Sequence, residues 1–214
     1  MFINASVDLG HKITIQNVLV KSADSGALIA LTSLVNLLIL LPYVFLFSAS
    51  GYLNDKFSRT RITRICAKLG VALTALITLG YACGWFYFAF FMTILLAAQS
   101  AIYSPAKYGL IKKIVGAKNL GAANGLVQAL TIIAILLSSL VFSVIFELFA
   151  VRSSDAGELM SSVWFIGIFL VAGSALETYY SYKIPFFDAA QPQAEFDTKE
   201  YLRLHYLKQN LKFV

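Results

Sequence analysis

Asn4, Asp8, Lys12 and Gln16 recur every four residues near the start of the chain, with His11 beside them, inside the stretch MFINASVDLGHKITIQNVLV. At 3.6 residues per turn they draw one slowly drifting polar stripe down a helix whose other positions are mostly apolar. Two further stripes follow the same spacing: Gln99, Tyr103 and Lys107, with Pro105 loosening the backbone beside the lysine, and then Asn124, Gln128 and Thr131. The chemistry on offer is charge and hydrogen-bond recognition. No metal-ligand spacing, phosphate-binding loop or paired nucleophile and base appears, so an intramembrane enzyme is disfavoured and no cofactor is expected. Cys66 and Cys83 are separated by roughly 25 Å of one helix, at 1.5 Å per residue, and cannot bridge each other.

The elements that must carry these stripes are membrane helices. Of the 214 residues 59% are hydrophobic and only 13% charged, about half the charged share of an average soluble domain. Apolar runs of about 20 residues, the length that crosses a bilayer, recur along the chain. They predict an all-α membrane protein, a six-transmembrane-helix bundle with spans at about 2–20, 27–50, 66–85, 87–107, 122–148 and 161–183. The bundle occupies 1–184. Residues 185–214 drop in hydropathy and are expected to form a cytoplasmic linker with a short amphipathic helix along the membrane surface. Apart from Lys12, Lys21 and Arg152, every Lys and Arg falls within 56–68, 107–118 or 183–212. That bias places both chain ends in the cytoplasm. It accounts for the net charge of +6 without any nucleic-acid partner, and leaves attraction to membrane lipids as a second use of the cations.

A charge at the bilayer centre costs ~3 kcal/mol on the insertion scale, so the stripes must face a partner or a water-filled cavity. Three stripes on different helices predict one shared cavity. Other readings of the same residues stay open. Residues 2–20 could lie on the cytoplasmic surface, Asp8 and Lys12 could form a structural i,i+4 ion pair, and Lys107 could snorkel into the headgroups. Glu177 could pair or face water. Gly80 with Gly84, and Gly121 with Gly125, have the G-x-x-x-G spacing of closely packed membrane helices.

Between the second and third predicted helices, GYLNDKFSRTRITR resembles the signature loop of the major facilitator superfamily, matched at Gly51, Asp55, Lys56 and Arg59. Ser58 stands for its usual glycine and Thr60 for its last basic residue. An acid flanked by bases in such a loop forms a charge cluster that can exist in one conformation and break in another. The strings AIYSPAKYG and ANGLV…TIIAILL within 98–137, and the opening DLGHKITIQN, are similar to the family's lysophospholipid transporter branch. That branch includes members fused to an acyltransferase that reacylates lysophosphatidylethanolamine.

The resemblance implies the N-terminal half of a twelve-helix transporter, with helices one and four lining a central cavity. It implies a lysophospholipid substrate flipped to the cytoplasmic leaflet of a bacterial inner membrane, an acyltransferase as partner or fusion, and a C-terminal six-helix bundle as the other half. The family's intramembrane acid would fall on Asp8 and the lysine of its SPAKYG motif on Lys107. Lys107, or Lys12 if unpaired, would meet the phosphate and Asp8 the ethanolamine ammonium, with Gln16, Gln99, Tyr103, Asn124 and Gln128 around them. Because the resemblance covers half a transporter, a chain of this extent is not expected to transport alone. It could instead serve as a membrane anchor or docking module for an acyltransferase.

Overall fold

The computed structural model describes residues 1–23 and 25–188. Among them the regular structure is all helical: α1 (Phe2–Ser22), α2 (Ser25–Lys56), α3 (Arg59–Ala82), α4 (Phe86–Val115), α5 (Leu120–Phe149), α6 (Ala156–Ser162) and α7 (Ile166–Lys183). Long apolar runs adopt helices in lipid because no water is present there to satisfy an open backbone. By length and apolarity α2, α3, α4 and α5 can each cross a membrane, and α6 with α7, bent by 58°, make a fifth if the pair is one span. The chain is therefore a multi-pass membrane protein. A sixth span would have to be α1, whose 21 residues reach about 32 Å but whose polar stripe lowers its hydropathy. The surface helix expected beyond 188 lies outside the described residues.

The helix boundaries differ from the expectation where charge hides a helix. The basic stretch RTRITR reads as loop by hydropathy, yet it is the first turns of α3, begun at Ser58, whose Oγ accepts from the Arg61 N–H at 3.4 Å. Long cations extend past the apolar zone, so a helix continues through residues that a hydropathy window rejects. Gly51 to Lys56 likewise belong to α2, and Lys107 lies inside α4 with two more turns after it. The last predicted span is broken instead of continuous. Asp155 caps α6 by accepting from the Glu158 N–H at 2.8 Å, and α7 starts afresh after the turn at Val163–Phe165.

α3 lies between α4 and α7, α2 packs on α4, and α1 packs on α5 and α7. Lipid is as apolar as leucine, so burial alone does not hold such helices together; close packing and interhelical hydrogen bonds must. Ile15, Val18 and Leu19 of α1, Ile77 and Tyr81 of α3, Ala89 and Leu96 of α4, and Leu159, Ile166 and Leu170 of α6–α7 form one buried cluster. Within it the His11 ring bridges three helices, its Nδ1 2.7 Å from Tyr81 Oη and its Nε2 3.1 Å from Thr93 Oγ1. One ring nitrogen donates and the other accepts, so the imidazole is fully satisfied in the core.

The expected glycine pairs behave differently from one another. Gly80 makes room for the Phe88 ring, but Gly84 lies beyond the end of α3 with φ 68°, a left-handed turn that a side chain resists, and a Cβ there would meet the Gly157 carbonyl at 2.9 Å. Gly121 and Gly125 have open space around them and pack on nothing among the described residues. The close contact of α3 with α7 is made by Gly167, where a Cβ would come 2.8 Å from the Thr78 Cα.

Replacing Gly167 by Ala should therefore push α7 off α3 and lower stability by about 1–3 kcal/mol, as overpacking does; an unchanged melting temperature of the purified protein would contradict this packing. His11→Phe should cost a similar amount, on the order of 1–3 kcal/mol, by leaving the Tyr81 and Thr93 hydroxyls without their buried partner. Tyr81→Phe added to His11→Phe should recover part of that loss in the same melting experiment.

Candidate functional site

Asp8 and Lys12 project from successive turns of α1 into a cavity of about 240 Å³ bounded by α1, α2, α4 and α5. Most of its wall is apolar, including Leu9, Ile39, Leu96, Ala97 and Ile135, and Tyr43, Thr93 and Ser100 complete it. Asp8 Oδ2 accepts from Ser100 Oγ at 2.7 Å, whereas its Oδ1 is buried with no hydrogen-bond partner. Although they share a helix face at i,i+4, Asp8 and Lys12 form no ion pair, and Lys12 has no ion-pair partner among the described residues. A buried carboxylate oxygen without a hydrogen-bond partner and an ammonium without an ion pair thus border one largely apolar space. Such an arrangement can take a ligand with charges of both signs and an apolar body.

Lys107 belongs to a second cavity of about 270 Å³, with Met1, Thr63, Tyr103, Leu110, Glu177 and Tyr180 on its wall. Its Nζ donates to Asn4 Oδ1, lies 3.8 Å from Glu177 Oε1, and stands 3.8 Å from the centroid of the Tyr103 ring. Both charged side chains are nearly buried, with exposures of 10% and 13%. Lys107 therefore neither snorkels nor stands open; it joins α1, α4 and α7. Glu177 is paired. Gln99 is a structural tie in this conformation: its Nε2 donates to the Cys66 carbonyl at 2.8 Å, and its Oε1 lies 3.2 Å from Ser100 Oγ.

The three polar stripes do not converge. Asp8 and Lys12 share the first cavity, and Tyr103 and Lys107 the second, while Gln16, Asn124 and Gln128 line neither. Gln128 is exposed and donates to Tyr108 Oη at 3.4 Å; Gln16 and Asn124 are half-buried. A stripe at helical spacing establishes a shared face, not what that face meets. Ser100, Tyr43 and Glu177 each contribute to a charged group's surroundings. Ser100 could have been found as the position after Gln99 on the same helix, whereas Tyr43 becomes a neighbour only through the packing of α2 on α4.

The signature residues meet the SPAKYG segment at one end of the bundle. Arg59 Nη2 pairs with Asp55 Oδ1 at 3.3 Å, its Nη1 donates to the Gly109 carbonyl at 3.2 Å, and its Nε to the Asn54 carbonyl at 3.4 Å. A Cβ on Gly109 would lie 2.5 Å from Nη1, so the glycine that ends SPAKYG is what lets the guanidinium lie on α4. Lys56 turns aside and donates to Tyr52 Oη at 2.7 Å, and Gly51 faces open space.

The two positions that depart from the signature also have partners. Ser58 Oγ donates to the Phe187 carbonyl at 2.6 Å. Thr60 Oγ1 donates to the Pro185 carbonyl at 3.1 Å and accepts from the Phe187 N–H at 3.2 Å. Together they strap the segment after α7 across the start of α3.

These features, a helical bundle with charged groups on interior cavities and a guanidinium clasp between α2 and α4, accord with the comparisons. The sequence model of the Major Facilitator Superfamily matches residues 4–207. A protein called lysophospholipid transporter LplT from Serratia proteamaculans (strain 568) is 34% identical over 97 residues, covering 45% of this chain and 23% of that protein. The protein of the same name from Photorhabdus laumondii subsp. laumondii is 32% identical over 108 residues, 50% of this chain and 26% of its own length. Its namesake from Yersinia enterocolitica is 34% identical over 97 residues, 45% and 22%. The matched stretch thus spans about a quarter of each relative. No solved structure matches the chain. With the family model covering nearly all of its residues, the chain belongs to the major facilitator superfamily.

Proposed function

We propose that this chain is a six-helix bundle of a transporter that carries single-chain phospholipids, of the lysophosphatidylethanolamine class, to the cytoplasmic leaflet of a bacterial inner membrane for reacylation. The observation that carries this reading is the pair of Asp8 and Lys12, facing one mostly apolar cavity without neutralising each other. A lysophospholipid has the complementary parts. Its phosphate suits Lys12, its ammonium suits the Asp8 carboxylate, whose buried Oδ1 lacks a hydrogen-bond partner, and its acyl chain suits the wall of Ile39, Leu96 and Ile135. Relatives bearing the name lysophospholipid transporter give the substrate class independent support.

For this reading α1 crosses the membrane. Its buried positions, Val7, His11, Thr14, Ile15 and Val18, run along most of its length against other helices, which suits an interior helix better than one lying on a surface. The ends rich in Lys and Arg then face the cytoplasm. Alternating access requires a second bundle that rocks against this one, and the broadly exposed apolar faces of α2 and α5 are where it would pack. An acyltransferase, as partner or fusion, would consume the delivered substrate. Lys107 acts differently from Lys12: phosphate reaches it only by displacing Glu177 or Asn4, so it serves to hold α1, α4 and α7 together in this conformation.

The test is uptake of labelled lysophosphatidylethanolamine by spheroplasts expressing the full-length protein. Asp8→Asn and Lys12→Gln should each reduce uptake about 10-fold or more, as the loss of one charge-assisted hydrogen bond implies, with membrane insertion unchanged. Full uptake in both variants would remove the proposed site. Lys107→Ala should instead lower the melting temperature together with uptake, because it strands Glu177 as an unpaired buried charge, a loss on the order of 3–5 kcal/mol. If Lys107→Ala abolished uptake at unaltered stability, the lysine would be a substrate ligand and its assignment to helix assembly would fail.

A further inference from the structure

On the outer side of the bundle, away from both interior cavities, Arg61, Arg64 and Lys68 rise along one face of α3 and line a hollow of about 200 Å³. Ile65 lies among them, and Tyr182 of α7 and Phe186 of the following segment close the far wall. Among the described residues no acidic side chain lines it. We propose that this hollow is a binding site for the phosphate headgroup of an anionic membrane lipid of the phosphatidylglycerol class, distinct from the transport cavity.

The site is built, not merely a run of surface cations. Arg64 is held by the exposed end of α7: its Nη2 donates to the Ile184 carbonyl at 3.0 Å and the Tyr182 carbonyl at 3.4 Å, and its Nε to the Ser181 carbonyl at 3.4 Å. Its guanidinium also lies 4.9 Å from the centroid of the Tyr182 ring, which has Lys68 Nζ at 5.4 Å. One aromatic ring therefore spaces two cations. Phe186 is fixed in turn because Ser58 and Thr60 clamp its neighbours Pro185 and Phe187. Arg61 and Lys68 are exposed and have no ion pair among the described residues, so both charges are available to a ligand, which Arg64 alone, committed to carbonyls, could not bind in full.

Lipid is favoured over a free anion by what lies beyond the hollow. Ile65, Leu69, Leu76 and Leu79 are 58%, 47%, 42% and 59% exposed and continue the same face of α3 as an apolar ridge. A headgroup in the basic hollow would lay its acyl chains along that ridge, so charge and apolar contact would act on one molecule. Basic pockets at the membrane surface between helices recognise anionic headgroups by this combination. The site depends on α3 and α7 being in a membrane, but not on what the interior cavities carry.

The experiment is native mass spectrometry of the detergent-purified full-length protein with added phosphatidylglycerol. Arg61→Gln with Lys68→Gln should weaken retention of the lipid about 30-fold, and Lys68→Gln alone, at an exposed position, about 5-fold. Lys118→Gln with Arg152→Gln, which removes the same net charge elsewhere, should leave retention unchanged. Equal retention by wild type and both hollow variants would overturn the proposal, as would an equal loss in the Lys118 and Arg152 control. Phosphatidylethanolamine retained as well as phosphatidylglycerol would refute selectivity for an anionic lipid. Inorganic phosphate that displaces phosphatidylglycerol at equal concentration would show a free-anion site and likewise overturn it.

Discussion

Inside hydrocarbon a polar side chain can find partners only in the protein, and in this chain that constraint decides which helices touch. His11 of α1 meets Tyr81 of α3 and Thr93 of α4; Gln99 of α4 meets the backbone of α3 at Cys66; Lys107 of α4 meets Asn4 of α1 and Glu177 of α7. Each contact satisfies groups that would otherwise be stranded, and each joins helices that apolar surface alone would leave indifferent to one another. Packing supplies the rest where glycines such as Gly167 bring backbones close. Asp8 Oδ1 and Lys12 stand outside this pattern of mutual satisfaction. Among the described residues neither Asp8 nor Lys12 has an ion-pair partner, although both border one cavity.

The two ends of the bundle are closed by different means. At the end bearing Ser22, Lys21 of α1 pairs with Glu147 of α5 at 2.9 Å, an exposed contact that water weakens. At the other end Arg59 combines an acid, two backbone carbonyls and a glycine surface, and neighbouring Ser58 and Thr60 bind the chain that leaves α7. Contacts made by several donors to carbonyls hold position better than a single exposed ion pair.

The signature loop shows how a departure from a pattern can be informative. Ser58 and Thr60 replace residues that the family pattern has as glycine and a base, and both have hydroxyls directed at the backbone of 185–187. The same clamp sets Phe186 beside Arg61, Arg64 and Lys68, so a change in the loop is felt on the lipid-facing side of α3. A small hydroxyl at each position thereby links the end of α7 to the start of α3, a function that glycine could not perform.

Composition and spacing alone determined that the chain is helical and membrane-embedded, because apolar runs of bilayer length have one economical conformation in lipid. They also determined that Asp8 and Lys12 share a face, while the Asp55–Arg59 cluster and SPAKYG carried a resemblance to the major facilitator superfamily. Helix ends were less legible: cations hid the start of α3 from hydropathy, and one apolar stretch concealed the break between α6 and α7. Only the tertiary structure decided which polar groups meet. Sequence periodicity orients a side chain about its own helix axis, whereas its partner depends on how that helix is rotated and tilted against the next. That is why Lys107 is bound to Asn4 and Glu177, Gln99 to Cys66, and Lys12 to neither Asp8 nor any other acid among the described residues.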